Sequence, residues 1–240
     1  MQEAKIQKLP IMGLQKTSLL DYPPYTSAVV FIGGCNFRCP YCQNFDLVLK
    51  PSEMPIVDEE MIVDFLIDRK DWVDAVVITG GEPTLYPDLK RFIKRLKELN
   101  LQVKLDTNGT NPGLIWDMLE EKLLDYIAMD IKAPLDSYEN VAMVPVDVEK
   151  LKKSIALIMN SGIDYEFRAT VMPKLYDKET LLKMVRPLKR ARKFAIQQFR
   201  KEMGILDKGF FKDVKPFTRP ELDELKKAIE PYFEKVEIRD

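Results

Sequence analysis

Short β-branched runs alternate along the chain with stretches in which apolar residues recur every three or four positions. This is the pattern of strand–helix units built on a parallel sheet. Strands are expected at Ser27–Ile32, Ala75–Thr79, Leu101–Asp106, Tyr126–Asp130, Tyr165–Val171 and Phe194–Phe199, with a last one at Lys235–Arg239. Between the second and third, Leu89, Phe92, Ile93, Leu96 and Leu99 fall on one helical face. Pro87 stands near that helix's start, where a missing N–H is harmless. Asp147 is expected to cap a helix burying Val148, Leu151, Ile155 and Ile158 and ended by Gly162. Thr218 with Glu221 reads as a capping box opening a final helix through Leu222, Leu225, Ile229 and Phe233.

Six strand–helix repeats are too few for an eight-fold closed barrel. The pattern predicts an α/β fold, a partial open (β/α)6 barrel, with a doubly wound sheet as the alternative that periodicity leaves open. Either way, loops at the carboxyl ends of the strands would build the site. One domain is expected over 1–240. Residues 1–26 form an N-terminal extension packing over one end, 27–204 the barrel core, and 205–240 the C-terminal helix and strand.

Composition narrows the partners. With 37 basic and 38 acidic residues the net charge is −1, which leaves no electrostatic footprint for nucleic acid or an anionic membrane. Hydrophobic residues make up 46% of 240 positions, enough for a sizeable core. Residues 1–9 are polar, and no apolar run approaches the roughly 18 residues of a membrane span. A cytoplasmic protein is expected, since three clustered cysteines suit a reducing compartment better than a disulfide framework.

The sharpest chemistry lies in Cys35, Cys39 and Cys42. They are the chain's three cysteines, within eight positions, in a chain without histidine. A tetrahedral zinc site or a fully cysteine-ligated iron–sulfur cluster wants four ligands. Three thiolates on a four-iron cluster leave one iron open to a small molecule. The loop would leave the top of the first strand through Gly33-Gly34, whose backbones turn freely. An incomplete zinc site, unligated thiols and a plain electron carrier are the competing readings.

Cys-x3-Cys-x2-Cys with Tyr41 before the last cysteine resembles the signature of the radical S-adenosylmethionine superfamily. The likeness runs on through Gly80-Gly81-Glu82-Pro83, Asp106-Thr107-Asn108-Gly109 and Asp130-Ile131-Lys132, covering roughly residues 11 to 204. Tyr41-Cys42-Gln43-Asn44 with Asp-Thr-Asn-Gly is similar to the glycyl-radical-enzyme activating enzymes, which serve pyruvate formate-lyase and anaerobic ribonucleoside-triphosphate reductase.

That resemblance implies the radical SAM type of partial barrel, a [4Fe-4S] cluster on the three cysteines, and S-adenosyl-L-methionine on its open iron. It implies that the Gly80-Gly81-Glu82 loop meets the methionine amino group through backbone carbonyls, although Gly-Gly after a strand is often only a turn. Asp106 and Asn108 would lie near the cofactor, with a monovalent cation beside Asp106, or merely shape a turn. Asp130 would lie toward the ribose, and Lys132 would pair with the cofactor carboxylate. Arg168 shares a strand face with Glu166 and Thr170 and needs a partner there. Carboxylate recognition and an ion pair with Glu166 are the two readings. Tyr41 would pack on the adenine or shield the cluster.

Two departures stand out. The adenine-facing histidine of pyruvate formate-lyase activases is missing, with Phe199 or Arg200 in its neighbourhood as a flat surface. The stretch from Gln43 to Pro55 is short and free of cysteine, so it holds no ferredoxin-like insert. Arg186, Lys189, Arg190, Arg192 and Lys193 would dock an acidic flavodoxin or form a solvated helix face, and Trp72 and Trp116 read as packing. The implied activity is reductive cleavage of S-adenosylmethionine to a 5′-deoxyadenosyl radical. That radical takes a hydrogen from a glycine Cα of a partner enzyme, expected to be anaerobic ribonucleoside-triphosphate reductase, with flavodoxin or ferredoxin as electron donor. A radical enzyme acting on a small molecule in modified-nucleoside or cofactor biosynthesis is the alternative.

Overall fold

The computed structural model describes residues 9–200 and 204–239, so the first eight residues of the expected extension lie outside the described residues. The chain divides into two compact units. The first holds the described residues up to Asn36 with Asp46–Thr107 and Asn111–Ile127. The second holds Phe37–Phe45, Asn108–Thr110 and the chain from Ala128 onward.

The first unit opens with β1 (Ile11–Ser18), which pairs antiparallel with β2 (Ser27–Ile32). A strand thus stands within the stretch expected as a leading extension. Register shifts between Ile11 and Gly13 and between Gln15 and Ser18 break the strict alternation by which a strand is recognised. After the short helix α1 (Phe45–Leu49), α2 (Glu59–Asp68) begins at Asp58, whose side chain accepts from the Glu60 N–H, and buries Ile62, Val63 and Leu66. β3 (Ala75–Gly80) lies parallel to β2. Helix α3 (Leu89–Glu98) buries Leu89, Phe92, Ile93 and Leu96, as its periodicity predicts. β4 (Gln102–Thr107) runs parallel to β3, and α4 (Pro112–Glu120) starts with Pro112 at its first turn and Asn111 accepting from the Leu114 N–H. β2 is buried at five of its six positions and β3 at four, as parallel strands covered on both faces should be. The parallel registers bring Ile32 beside Gly80 and Ile78 beside Leu105, so the three carboxyl ends share one edge.

β5 (Tyr126–Asp130) carries the chain into the second unit. There α5 (Glu139–Ala142) precedes α6 (Val148–Met159), which begins as expected with Asp147 accepting from the N–H groups of Glu149 and Lys150. β6 (Asp164–Val171), α7 (Lys178–Val185), β7 (Ala191–Gln198), α8 (Arg219–Ile229) and β8 (Phe233–Arg239) complete it. β7 pairs in parallel with both β6 and β8. The capping box of Thr218 and Glu221 forms. Phe233 does not continue α8, because Pro231 ends the helical run. It opens β8, with its ring 5.0 Å from that of Phe194. Among the described residues, β1 pairs with β2 and β8 with β7. Among the described residues, no helix is long and apolar enough to cross a membrane.

Candidate functional site

At the carboxyl edge of the first unit, the loops leaving β2 and β3 are laid on each other. The Gly33 and Gly34 N–H groups donate to Pro10 O and Leu47 O, both at 2.8 Å, and the Glu82 N–H donates to Gly34 O at 2.8 Å. The Gly80-Gly81 pair is demanded by that approach. A Cβ on Gly81 would stand 1.9 Å from Gly34 O and 3.3 Å from the Cys35 Cβ, and one on Gly80, at φ +121°, 2.3 Å from Ile32 O. Tyr86 adds a clamp, its hydroxyl donating to Gly33 O at 2.9 Å. Cys35 is half-buried in this loop.

Glu82 is fully buried, and its carboxylate accepts from the Thr84 N–H (3.0 Å), the Thr84 hydroxyl (2.5 Å) and the Thr107 hydroxyl (2.7 Å). It joins the end of β3 to the end of β4. Asp106 is buried too, with Lys104 Nζ 3.6 Å from its Oδ1 on the same face of β4. Lys104 also donates to Asp21 O at 2.5 Å and stands 5.5 Å from the centroid of the Tyr126 ring.

At the corresponding edge of the second unit, Asp130 ends β5. Its carboxylate accepts from Arg168 Nε and lies 3.3 Å from Lys132 Nζ. Burial raises the Asp130 pKa, but Arg168 and Lys132 outweigh it and hold the group at about 2. Glu166 is buried against Arg239, which grips it at 2.7 and 2.6 Å, and Lys193 at 3.4 Å. Asn108 Oδ1 accepts from the N–H and hydroxyl of Thr110, at 3.0 and 2.7 Å, a turn that shapes its own loop.

Cys39 is buried and Cys42 half-buried, joined by a turn in which the Cys42 N–H donates to Cys39 O at 3.0 Å. Burial pushes both thiols up, and the Lys132 ammonium pulls them down. Tyr41, between them, is buried, and Lys132 Nζ stands 6.0 Å from its ring centroid. Tyr176 donates to Lys132 O at 2.6 Å, while the Lys132 N–H donates to Tyr138 at 3.1 Å. Among the described residues, no three His, Cys, Asp or Glu side chains are grouped to hold a single metal ion. A cubane spreads its thiolates over different irons, so it does not need that convergence.

Tyr86, Lys104, Tyr138 and Tyr176 are absent from the sequence-based expectations, since a lone tyrosine or lysine carries no spacing to mark it. Phe199 is buried with its ring 5.1 Å from that of Phe211, so its surface is already covered on one side. The basic stretch is no continuous helix face. It spans a single turn after α7 and the start of β7, with Lys193 engaged by Glu166 and Glu237 and Arg192 by Asp164. Trp72 and Trp116 are exposed, which excludes a core role for both.

Residues 29–185 match the family model of the Radical SAM superfamily. Over 238 residues the chain is 37% identical to a Methanocaldococcus jannaschii protein named as a candidate glycyl-radical enzyme activating enzyme, covering 97% of this chain and 96% of that one. Over 126 residues it is 33% identical to a 7-carboxy-7-deazaguanine synthase of Methanopyrus kandleri, covering 45% of this chain and 49% of that one. Among solved structures, Streptococcus suis SuiB bound to precursor peptide SuiA matches with a TM-score of 0.68 at 15% identity. The match covers 88% of this chain and 48% of SuiB, so the likeness is one of fold, and the chain spans about half of SuiB's length.

Proposed function

The chain belongs to the radical S-adenosylmethionine superfamily, an enzyme family whose α/β fold it shares, and on that premise we propose that it activates a glycyl-radical enzyme. The observation carrying this reading is the near full-length likeness to the Methanocaldococcus jannaschii protein. We take residues 1–240 as one radical SAM domain. Its partner is a glycyl-radical enzyme, with anaerobic ribonucleoside-triphosphate reductase as the first candidate, and flavodoxin or ferredoxin supplies electrons.

Family membership implies a [4Fe-4S] cluster and S-adenosylmethionine, and the donor set suits them. Three thiols share one short loop, no histidine competes, and Lys132 offsets the negative charge of Cys39 and Cys42. When bound, the cluster supplies the electron that cleaves S-adenosylmethionine, and hydrogen is then taken from a glycine Cα. Cys35, Cys39 and Cys42 hold iron. Lys132 receives the cofactor carboxylate and Asp130 lies toward its ribose, with Arg168 fixing Asp130. Gly80 and Gly81 present backbone carbonyls to the amino group, while Glu82 and Asn108 shape the two loops. Tyr41 shields the cysteine loop. A monovalent cation beside Asp106 would share that carboxylate with Lys104.

A second reading, turnover of a small molecule in modified-nucleoside or cofactor biosynthesis, draws on the likeness to the Methanopyrus kandleri synthase. Anaerobic reduced protein, S-adenosylmethionine and a candidate reductase from the same organism separate the two. A doublet glycyl signal in electron paramagnetic resonance is expected on the partner. Cofactor cleavage without that signal on any glycyl-radical enzyme of the organism would sink the first reading in favour of the second.

A further inference from the structure

We propose that Tyr176 is a positioning residue that holds the Lys132 backbone. Lys132 lies two positions beyond the end of β5, just past Ile131, whose N–H donates to Arg168 O at 2.8 Å. Both peptide groups of Lys132 are gripped by buried tyrosines. Its N–H donates to Tyr138 at 3.1 Å, and its carbonyl accepts from Tyr176 at 2.6 Å. Tyr138 further donates to Asp130 O at 3.4 Å.

Two bonds flanking one Cα set the direction in which its side chain leaves the backbone. The head is then aimed by Asp130, 3.3 Å from Nζ.

The inference deepens the proposed function and rests on its assignment of Lys132 to the cofactor carboxylate. Its test is a double-variant cycle on anaerobically reconstituted holoenzyme: Tyr176→Phe, Lys132→Ala and both together. Binding of S-adenosylmethionine is measured by equilibrium dialysis, with iron per chain and thermal midpoint alongside. Tyr176→Phe is expected to weaken binding about tenfold at unchanged iron content, since the part-buried Lys132 carbonyl loses its donor. Lys132→Ala is expected to weaken it at least as much, and the double variant no further, because Tyr176 acts through Lys132.

Unchanged affinity in Lys132→Ala overturns the Lys132 assignment itself. A loss in Lys132→Ala with Tyr176→Phe at wild-type affinity, or a double variant losing the product of both factors, overturns the positioning role alone. If Tyr176→Phe does not fold, Tyr138→Phe takes its place, removing the acceptor of the Lys132 N–H on the other side of the same Cα. It is expected to weaken binding about threefold, and not at all in the Lys132→Ala background; wild-type affinity would overturn the holding of Lys132 through its peptide groups.

Discussion

Arg168 and Asp130 are joined directly, guanidinium Nε to carboxylate, with Lys132 on the other carboxylate oxygen. One anion lies between two cations, and the arrangement has a measurable consequence for stability.

The Asp130 carboxyl is held at about 2 against an ordinary 3.8: burial raises it, and Arg168 and Lys132 lower it by more. Because folding lowers this pKa, the stabilisation is complete above pH about 4 and is lost as pH falls toward about 2, a term of about 2 kcal/mol. Chemical denaturation of wild type and Asp130→Asn across that range should show their difference shrinking as pH falls. A pH-independent part will persist, from two cations left facing an amide. A wholly flat difference would refute the linkage.

Gly81→Ala places a methyl 1.9 Å from Gly34 O and close to the Cys35 Cβ. Since backbone must move, a loss of about 3 kcal/mol is expected, together with a lower iron content after reconstitution. Gly113→Ala, in α4, meets only Asn111 Oδ1 at 3.7 Å and should be neutral or slightly stabilising. Equal effects from the two alanines would show that the crowding at Gly81 is not what matters.

Much of this fold was legible because buried parallel strands are unbroken apolar runs, as in β2 and β3, and because Asp147 and Thr218–Glu221 announce helix starts chemically. β1 was not, since its bulges destroy alternation. The cysteines declared themselves by spacing. Partner choice did not: Glu166 is Arg168's neighbour on one strand face. The registers that set Phe167 beside Phe194 and Lys193 beside Lys235 bring β7 and β8 alongside β6, where the Glu166 carboxylate meets Lys193 and Arg239. Such pairings depend on which strands meet, a property no local window contains.

Helices α2 and α3 are stapled by Glu59, buried beneath Arg91 at 2.8 and 2.6 Å and Arg95 at 2.5 Å. Burial raises the Glu59 pKa and the two guanidiniums lower it further, so its net direction is down. Its contribution is therefore present above the ordinary carboxylate pKa and fades in acid. Glu59→Ala should cost about 2 kcal/mol at neutral pH, because the bidentate Arg91 contact is largely shielded on the carboxylate side. Lys152→Ala, which breaks an exposed pair with Glu149, should not measurably change stability. Urea unfolding of both variants checks the contrast, and equal costs would refute it.

Glu166 offers the last separation, between holding the fold and meeting the cofactor. It is 1% exposed and bridges three strands, taking both Arg239 nitrogens from β8 and Lys193 from β7 while belonging to β6 itself. Glu166→Gln keeps the shape but removes the buried anion from Arg239 and Lys193, which keep Glu237 at 3.4 and 2.9 Å, so a loss of about 2 kcal/mol is expected, with fraying of β8 seen as faster amide exchange there. Arg168 keeps Asp130 as its partner in this variant, so S-adenosylmethionine affinity should stay within about twofold of wild type. Amide exchange and equilibrium dialysis on the same holoenzyme preparation test both halves. Weakened cofactor binding with β8 protection intact would place Glu166 among the residues that meet the cofactor and contradict the division of labour along β6.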